Sequence, residues 1–438
     1  MGACALVTAR IRDRALPLHY VENLTQPQLP SEIFFNAARD AFAKDLTKND
    51  GIDYMRACTL LTLTCIQWGQ LGLMQQFMGT FFTLAAMQRF YDESHWPKHI
   101  SGNEIELRRR VWWCTYTLDV YAAAIWNCFL RTQEVHANVK YPGEFDDTKD
   151  KDHPSRPSWI QGWQFSIDLY RVLEHTLNKA RAKLFIHEDR RSVDHLVFQD
   201  VFSDNDVMST ILNMYYELPA IFKETPPMTG RVERDIYGYQ AANIQATLQL
   251  LRMIIFSMED GPGIERKCDV ASEVLSVFHT IPREYLRAIS TPLVFHLGSI
   301  GQILASTIDE TMTEETYQRV RISLISMADL LDGLEEGLLR AAGASQGLRA
   351  QVQKLDERIK RTRLQSRPTN AMLPHIGGNT NPVAGGLATG PMSAQLDHLD
   401  QASRFQLPPE LFGDWSWPHT VEYGNAGGTG TGFYPPGY

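Results

Sequence analysis

Residues Glu104–Asp119 read E-I-E-L-R-R-R-V-W-W-C-T-Y-T-L-D. Two acids precede three consecutive arginines, and a tryptophan pair then opens an aromatic and aliphatic run. The spacing predicts a helix. Glu104 stands four residues before Arg108 and Glu106 four before Arg110, acid first, the order in which ion pairs best support a helix. Val111, Cys114, Thr115 and Leu118 fall at i, i+3, i+4 and i+7, the pattern of a buried face. Trp112, Trp113 and Tyr116 widen that face, so the helix is expected to be covered on more than one side. With acids one turn away, its arginines are expected to be structural rather than DNA contacts.

Outward from this stretch the pattern stays helical. Ile33, Phe34, Ala37, Ala38 and Phe42 form a stripe over 31–45, with Ser31 as the expected N-cap. From Arg56 to Arg89 no charged residue occurs, a run of 32 residues that could span a bilayer by length alone. It carries ten Thr and Gln residues and three glycines, which favours two buried helices, 52–68 and 72–91, joined near Gly69–Gly72. The motif helix is expected over 104–128, and further helices over 160–185, 193–222, 231–258, 264–280, 291–308 and 314–340. No sustained period-two alternation and no Asn-Gly hairpin turn is present. The expected fold is therefore all-α, an irregular multi-helix array without a fixed repeat.

The motif also resembles a known one. An acid, three arginines, a paired tryptophan and a short run to an aspartate recur in the fungal-specific transcription factor domain, the middle homology region of zinc binuclear cluster transcription factors. Glu104, Arg108, Arg109, Arg110, Trp112, Trp113, Tyr116, Leu118 and Asp119 match it in register. In that family a Gly-Arg-Pro-like turn commonly follows the motif helix, and Asn127-Cys128-Phe129-Leu130-Arg131 departs from it. Arg131 stands in for the family's arginine, and Pro142, Asp146 and Asp147 fit the extended stretch after it. The resemblance implies a nuclear regulator of RNA polymerase II transcription acting on fungal metabolic genes, a secondary-metabolite biosynthetic cluster being the expected setting.

The family's DNA-reading module is a zinc cluster of closely spaced cysteines opening C-x-x-C. Here the six cysteines stand at 4, 58, 65, 114, 128 and 268, with no C-x-x-C among them. They read as free thiols, three of them in strongly apolar context, and no cofactor is expected in this chain; zinc would enter only with an upstream cysteine cluster. Three explanations stay open: the module was lost, it lies upstream of this sequence, or the protein works without it. A net charge of −9 argues against the chain itself being a nucleic-acid-binding surface. DNA is then reached only through a missing module or a partner. A homodimer and transcriptional co-regulators are the other expected partners, and no membrane is expected.

Enzyme signatures fail in turn. His95 and His99 straddle Pro97, which opposes a helical ligand pair. Gly261-Pro262-Gly263 is a turn with no G-K-S/T after it. The N-terminus has too short an apolar run for a secretory signal, and Leu6 breaks the myristoylation pattern after Gly2.

Beyond the helical body two segments carry alternatives. Leu348, Val352, Leu355 and Ile359 form a short seam flanked by Arg349, Lys354, Arg358, Lys360, Arg361 and Arg363. A terminal packing helix, a brief coiled-coil contact, and a nuclear-import or nucleic-acid patch all fit it. From 366 to 438 the chain is a Gly/Pro-rich tail expected to be disordered. Within it Leu396, Leu399, Phe405, Leu407, Leu411, Phe412, Trp415 and Trp417 alternate with Asp397, Asp400, Glu410 and Asp414. This suits an activation segment in which Phe412, Trp415 and Trp417 meet a coactivator groove, or a tail that folds back on the body. The expected organisation is an N-terminal extension over 1–19, a regulatory helical domain over 20–365, and the tail. The rival from another class is a helical scaffold or partner-binding protein without DNA-binding activity.

Overall fold

Ser101 starts the motif helix and Asn127 stops it. The Ser101 hydroxyl accepts the Glu104 N–H at 3.2 Å, satisfying a donor that a first turn leaves open. Asn127 takes a left-handed backbone, φ 49°, a conformation asparagine tolerates better than most residues. Arg181 then closes the end, Nη2 donating to Ala123 O at 3.2 Å and Cys128 O at 2.7 Å. The helix runs Gly102–Trp126, starting and ending two residues ahead of the expected 104–128.

The structure, a computed structural model, describes residues 1–16, 29–49, 51–145, 156–185, 204–258, 264–306, 312–338 and 343–365. In chain order the helices are α1 (Gly2–Arg12), α2 (Ser31–Asp40), α3 (Ile52–Gln67), α4 (Leu71–Met87), α5 (Gly102–Trp126), α6 (Trp159–Phe185) and α7 (Asp204–Glu217). They continue as α8 (Val232–Met258), α9 (Ile264–Thr280), α10 (Arg283–Ile289), α11 (Thr291–Ser306), α12 (Glu314–Glu335) and α13 (Ala344–Gln365). Among the described residues the sole β pairing is one parallel bridge, Asp92 with Asn138. The all-α reading holds. The 366–438 tail, with Phe412, Trp415 and Trp417, lies outside the described residues, as do Asp146 and Asp147.

The uncharged run folds as α3 and α4, packed along each other and turned at Gly69, φ 66°. Its polar side chains divide between the interior and the surface, and most of those described bond within the protein. Thr59 Oγ1 meets Thr115 Oγ1 of α5 at 2.7 Å. Thr64, Thr80 and Thr83 bond back to carbonyls four residues earlier. Gln75 Nε2 reaches Cys128 Sγ at 2.6 Å. Among the described residues no single helix is long and apolar enough to cross a membrane. The bent pair α10 and α11 passes by length and composition, but α11 is buried from Leu293 to Leu304. It packs against α8, α12, α13, α9 and α3, and a helix apolar all round is what such a central place requires.

Two helices were not in the periodicity reading. α1 buries Gly2, Ala5 and Ala9 against α2 and α3, where small side chains let the backbones approach. α10 has only seven residues, too few to show a period. Several ends also differ. The expected cap Ser31 is instead the first residue of α2, its hydroxyl donating to Ala5 O at 2.6 Å. α2 stops at Asp40, because Asp45 caps a separate 3₁₀ turn at Leu46–Lys48. α4 stops at Met87 ahead of Arg89 in the left-handed region, φ 48°. α7 ends at Glu217 before Pro219. Of the expected 193–222 helix, 193–203 lies outside the described residues. On α13 the seam residues Leu348, Val352 and Leu355 are buried in the main core, and Leu348 presses on Gly301 of α11. That seam is spent inside the chain's own body, the packing-helix alternative.

Candidate functional site

The three motif arginines leave α5 in three directions, and each finds different company. Arg108 donates to Glu104 Oε1 from Nε at 3.0 Å and Nη2 at 2.8 Å, as the spacing predicts. Its guanidinium also lies 5.5 Å from the Phe90 ring and 5.7 Å from Trp96. Arg109 makes a two-pronged pair with Glu93, Nε to Oε1 at 2.7 Å and Nη2 to Oε2 at 2.9 Å. It also bonds Glu106. The expected Glu106–Arg110 pair does not form. Glu106 is taken by Arg109 and by the Gly143 N–H at 2.6 Å, while Arg110 Nη2 donates to Gly143 O at 2.9 Å. Arg110 then stands 3.8 Å from the Phe145 ring and 5.5 Å from Trp159, which stacks nearly parallel (7°) on Trp163.

Electrostatics follow this geometry. The Glu93 bond holds the Arg109 guanidinium well above its ordinary range. Burial would raise Glu93, but the bonds from Arg109 and the Lys140 N–H outweigh it and leave its carboxyl lowered. Burial pulls Arg110 down, since no carboxylate bonds it among the described residues.

One turn on, the helix is wrapped in rings. Trp112 sits among Phe81 and Phe82 of α4 at 6.5 and 6.3 Å, its Nε1 without an acceptor among the described residues. Trp113 packs edge-on against Tyr116 and Tyr141 and donates to Lys140 O at 2.9 Å. The Tyr116 hydroxyl donates to Glu174 of α6 at 2.6 Å, and Glu174 also accepts the Glu134 N–H at 3.0 Å. Asp119 is buried and takes two bonds from Arg131, backbone N and Nη1, both at 2.7 Å. Burial pushes its carboxyl up even so. Arg131 is completed by Gln75 of α4.

The seven motif residues therefore share a helix but serve separate junctions. Glu104, Arg108 and Arg109 secure the turn at 90–96; Arg110 secures the segment 143–145. Trp112 binds α4, Trp113 the 140–141 strip, and Asp119 the return at 131. Tyr141, Arg171 and Glu134 continue the network to α6. Glu93, Glu134 and Glu174 were missed in the sequence. They stand 16 to 58 residues from their partners, and no local spacing marks such pairs.

Chemistry beyond scaffolding is thin. Asp92, Ser94 and His95 form a surface cluster, but Ser94 Oγ and Asp92 Oδ2 meet the same nitrogen, Nδ1, at 3.1 and 2.7 Å. A nucleophile and an orienting acid must sit on opposite nitrogens, and Nε2 here faces Arg89 at 2.8 Å. The cluster locks a turn. Burial pushes the Cys58 thiol up to about 12 and Cys114 up to about 11, far from reactive thiolates. Among the described residues no group of three His, Cys, Asp or Glu side chains is placed to hold a metal.

The motif helix is thus bound into the interior of a helical body, most of its second half buried. The sequence profile described as the fungal specific transcription factor domain matches residues 15–282, more than half of the chain. The chain belongs to that family, whose members are transcription factors rather than enzymes. Comparison with curated proteins and with solved structures gave no match.

Proposed function

We propose that the chain regulates RNA polymerase II transcription of fungal metabolic genes in the nucleus, with a secondary-metabolite biosynthetic cluster as its setting. Family membership supports this reading, and one geometric observation carries it. Every motif side chain is spent on holding the body together, so the body is a scaffold rather than a reader of DNA. Contact with DNA then falls to a zinc-cluster module outside this sequence or to a partner, a second copy included. Contact with co-regulators falls to the acidic-aromatic segment around Phe412, Trp415 and Trp417.

The test is a reporter assay in a fungal host. Residues 390–438 fused to an unrelated DNA-binding module are expected to activate transcription. Replacing Phe412, Trp415 and Trp417 together with Ala is expected to abolish it, because aromatic anchors supply most of such binding energy. A fusion without activity sinks the activation reading and favours the scaffold alternative. Unchanged activity in the triple variant sinks the aromatic mechanism.

A further inference from the structure

A right-angled corner of the body carries a strained residue. α10 ends at Ile289, α11 begins at Thr291, and their axes differ by 94°. Ser290 alone turns it, with φ 64° and ψ −142°, a conformation suited to glycine and costly for any residue with a Cβ. Such a backbone persists only where its surroundings impose it.

Those surroundings come from far along the chain. Gln67, the last residue of α3, brings Nε2 to 2.8 Å from Ser290 Oγ and 3.2 Å from Thr291 Oγ1. The same nitrogen lies 2.7 Å from Asp13 Oδ2, just past α1. Thr291 Oγ1 returns a long bond to Gln67 O at 3.4 Å. Arg10 of α1 reaches across to Ala288 O at 3.2 Å, on the last turn of α10. Asp13, Gln67, Ser290 and Thr291 are all buried. Three segments separated by 54 to 278 residues thus meet in one buried polar cluster at the corner. Both α1 and the corner lie outside the matched span 15–282, whereas Gln67 lies within it.

We propose that this is a latched hinge: α1 is a strap that, through Asp13, Gln67 and Arg10, holds the Ser290 corner bent. With the strap seated, α11 stays docked with α12 and α13 against it. Lifting α1 withdraws Asp13, which fixes the Gln67 amide against Ser290 and Thr291, and Arg10, which holds Ala288 O, and so frees the α10–α11 corner to relax. α3 carries the consequence to the motif helix through the Thr59–Thr115 bond. Coupling of this kind needs a discrete element that both ends bias, and the strained corner is that element.

Hydrogen exchange on the full chain, followed by mass spectrometry, tests it. Gln67→Met keeps the bulk and removes the shared donors. It is expected to speed exchange about tenfold at 286–296 and in α1, with α6 unchanged. Adding Ser290→Gly in that background is expected to return the corner toward parental exchange, since glycine adopts the turn without a latch. Arg10→Ala, a milder change at a half-buried position, is expected to give a smaller rise in the same segments. A uniform rise across all helices, or no rise at 286–296 in either variant, overturns the hinge. A double variant that exchanges as fast as Gln67→Met overturns the strained corner as its cause.

Discussion

Two helices of this chain are rich in arginine and lysine, and they behave oppositely. At the start of α5, Arg108 and Arg109 keep only 11% and 17% of their side-chain surface in water. On α13, Arg361 and its partner Glu357 keep 77% and 67%, at a separation of 3.6 Å. The difference is not charge density. α5 sets its arginines beside Phe90, Trp96, Phe145 and Trp159, rings that shed water from the guanidinium and strengthen every pair it makes. α13 uses its apolar seam against the core and pairs Arg349 and Asp356 with α12, while Arg361 at its far end stays exposed and has no ring beside it among the described residues. Aromatic company, rather than the number of cations, separates a structural basic run from a solvated one.

The largest effects should fall on the enclosed helix. Trp113→Ala is expected to cost about 3–5 kcal/mol, measured by thermal or denaturant unfolding, because a buried ring and its bond to Lys140 O are lost together. A variant that melts like the parent would break the comparison at its strongest point. Asp119→Ala should come next, at about 3 kcal/mol, since it strands the Arg131 guanidinium in the interior. Asp119→Ala with Arg131→Met should recover part of that loss; no recovery would mean the pair is not the cause.

Acid should sharpen the contrast. His296 is buried on α11 beside Tyr121, and burial lowers it from 6.5 to about 4. The unfolded chain therefore binds the proton more readily than the folded one between those values. The stability due to neutral His296 is fully present above pH 6.5 and is lost as pH falls toward 4, a decline of about 3 kcal/mol. His296→Phe is expected to flatten that decline in unfolding curves measured across the window; an identical slope would remove His296 as its source. Smallest of all, Arg361→Ala should leave melting unchanged, as exposed pairs contribute little. A loss comparable to that of Trp113→Ala would erase the distinction between the two helices.

What could be read in advance follows the range of the interactions. The motif helix, the α3–α4 pair and the all-α class were legible because each rests on spacing within one or two turns. Glu104–Arg108 was legible for the same reason. Glu106–Arg110 was misread, because i,i+4 spacing offers a pair that Arg109 on the same helix and Gly143 from another segment outcompete. Asp119 was in the motif, yet its partner emerged only where the chain returns at 131. α1 was invisible for a different reason: its buried face is Gly2, Ala5 and Ala9, residues too small to register as an apolar stripe.

The parallel stack of Trp159 on Trp163 has a use outside stability. Two indoles 6.2 Å apart and nearly coplanar in orientation couple their electronic transitions. Circular dichroism would then carry a paired-indole band whose sign and strength depend on that stacking. Arg110 leans on Trp159 from the motif helix, so the band would report whether α5 and the start of α6 are in register. The molecule thus contains its own optical probe at the junction where its defining motif meets the next helix.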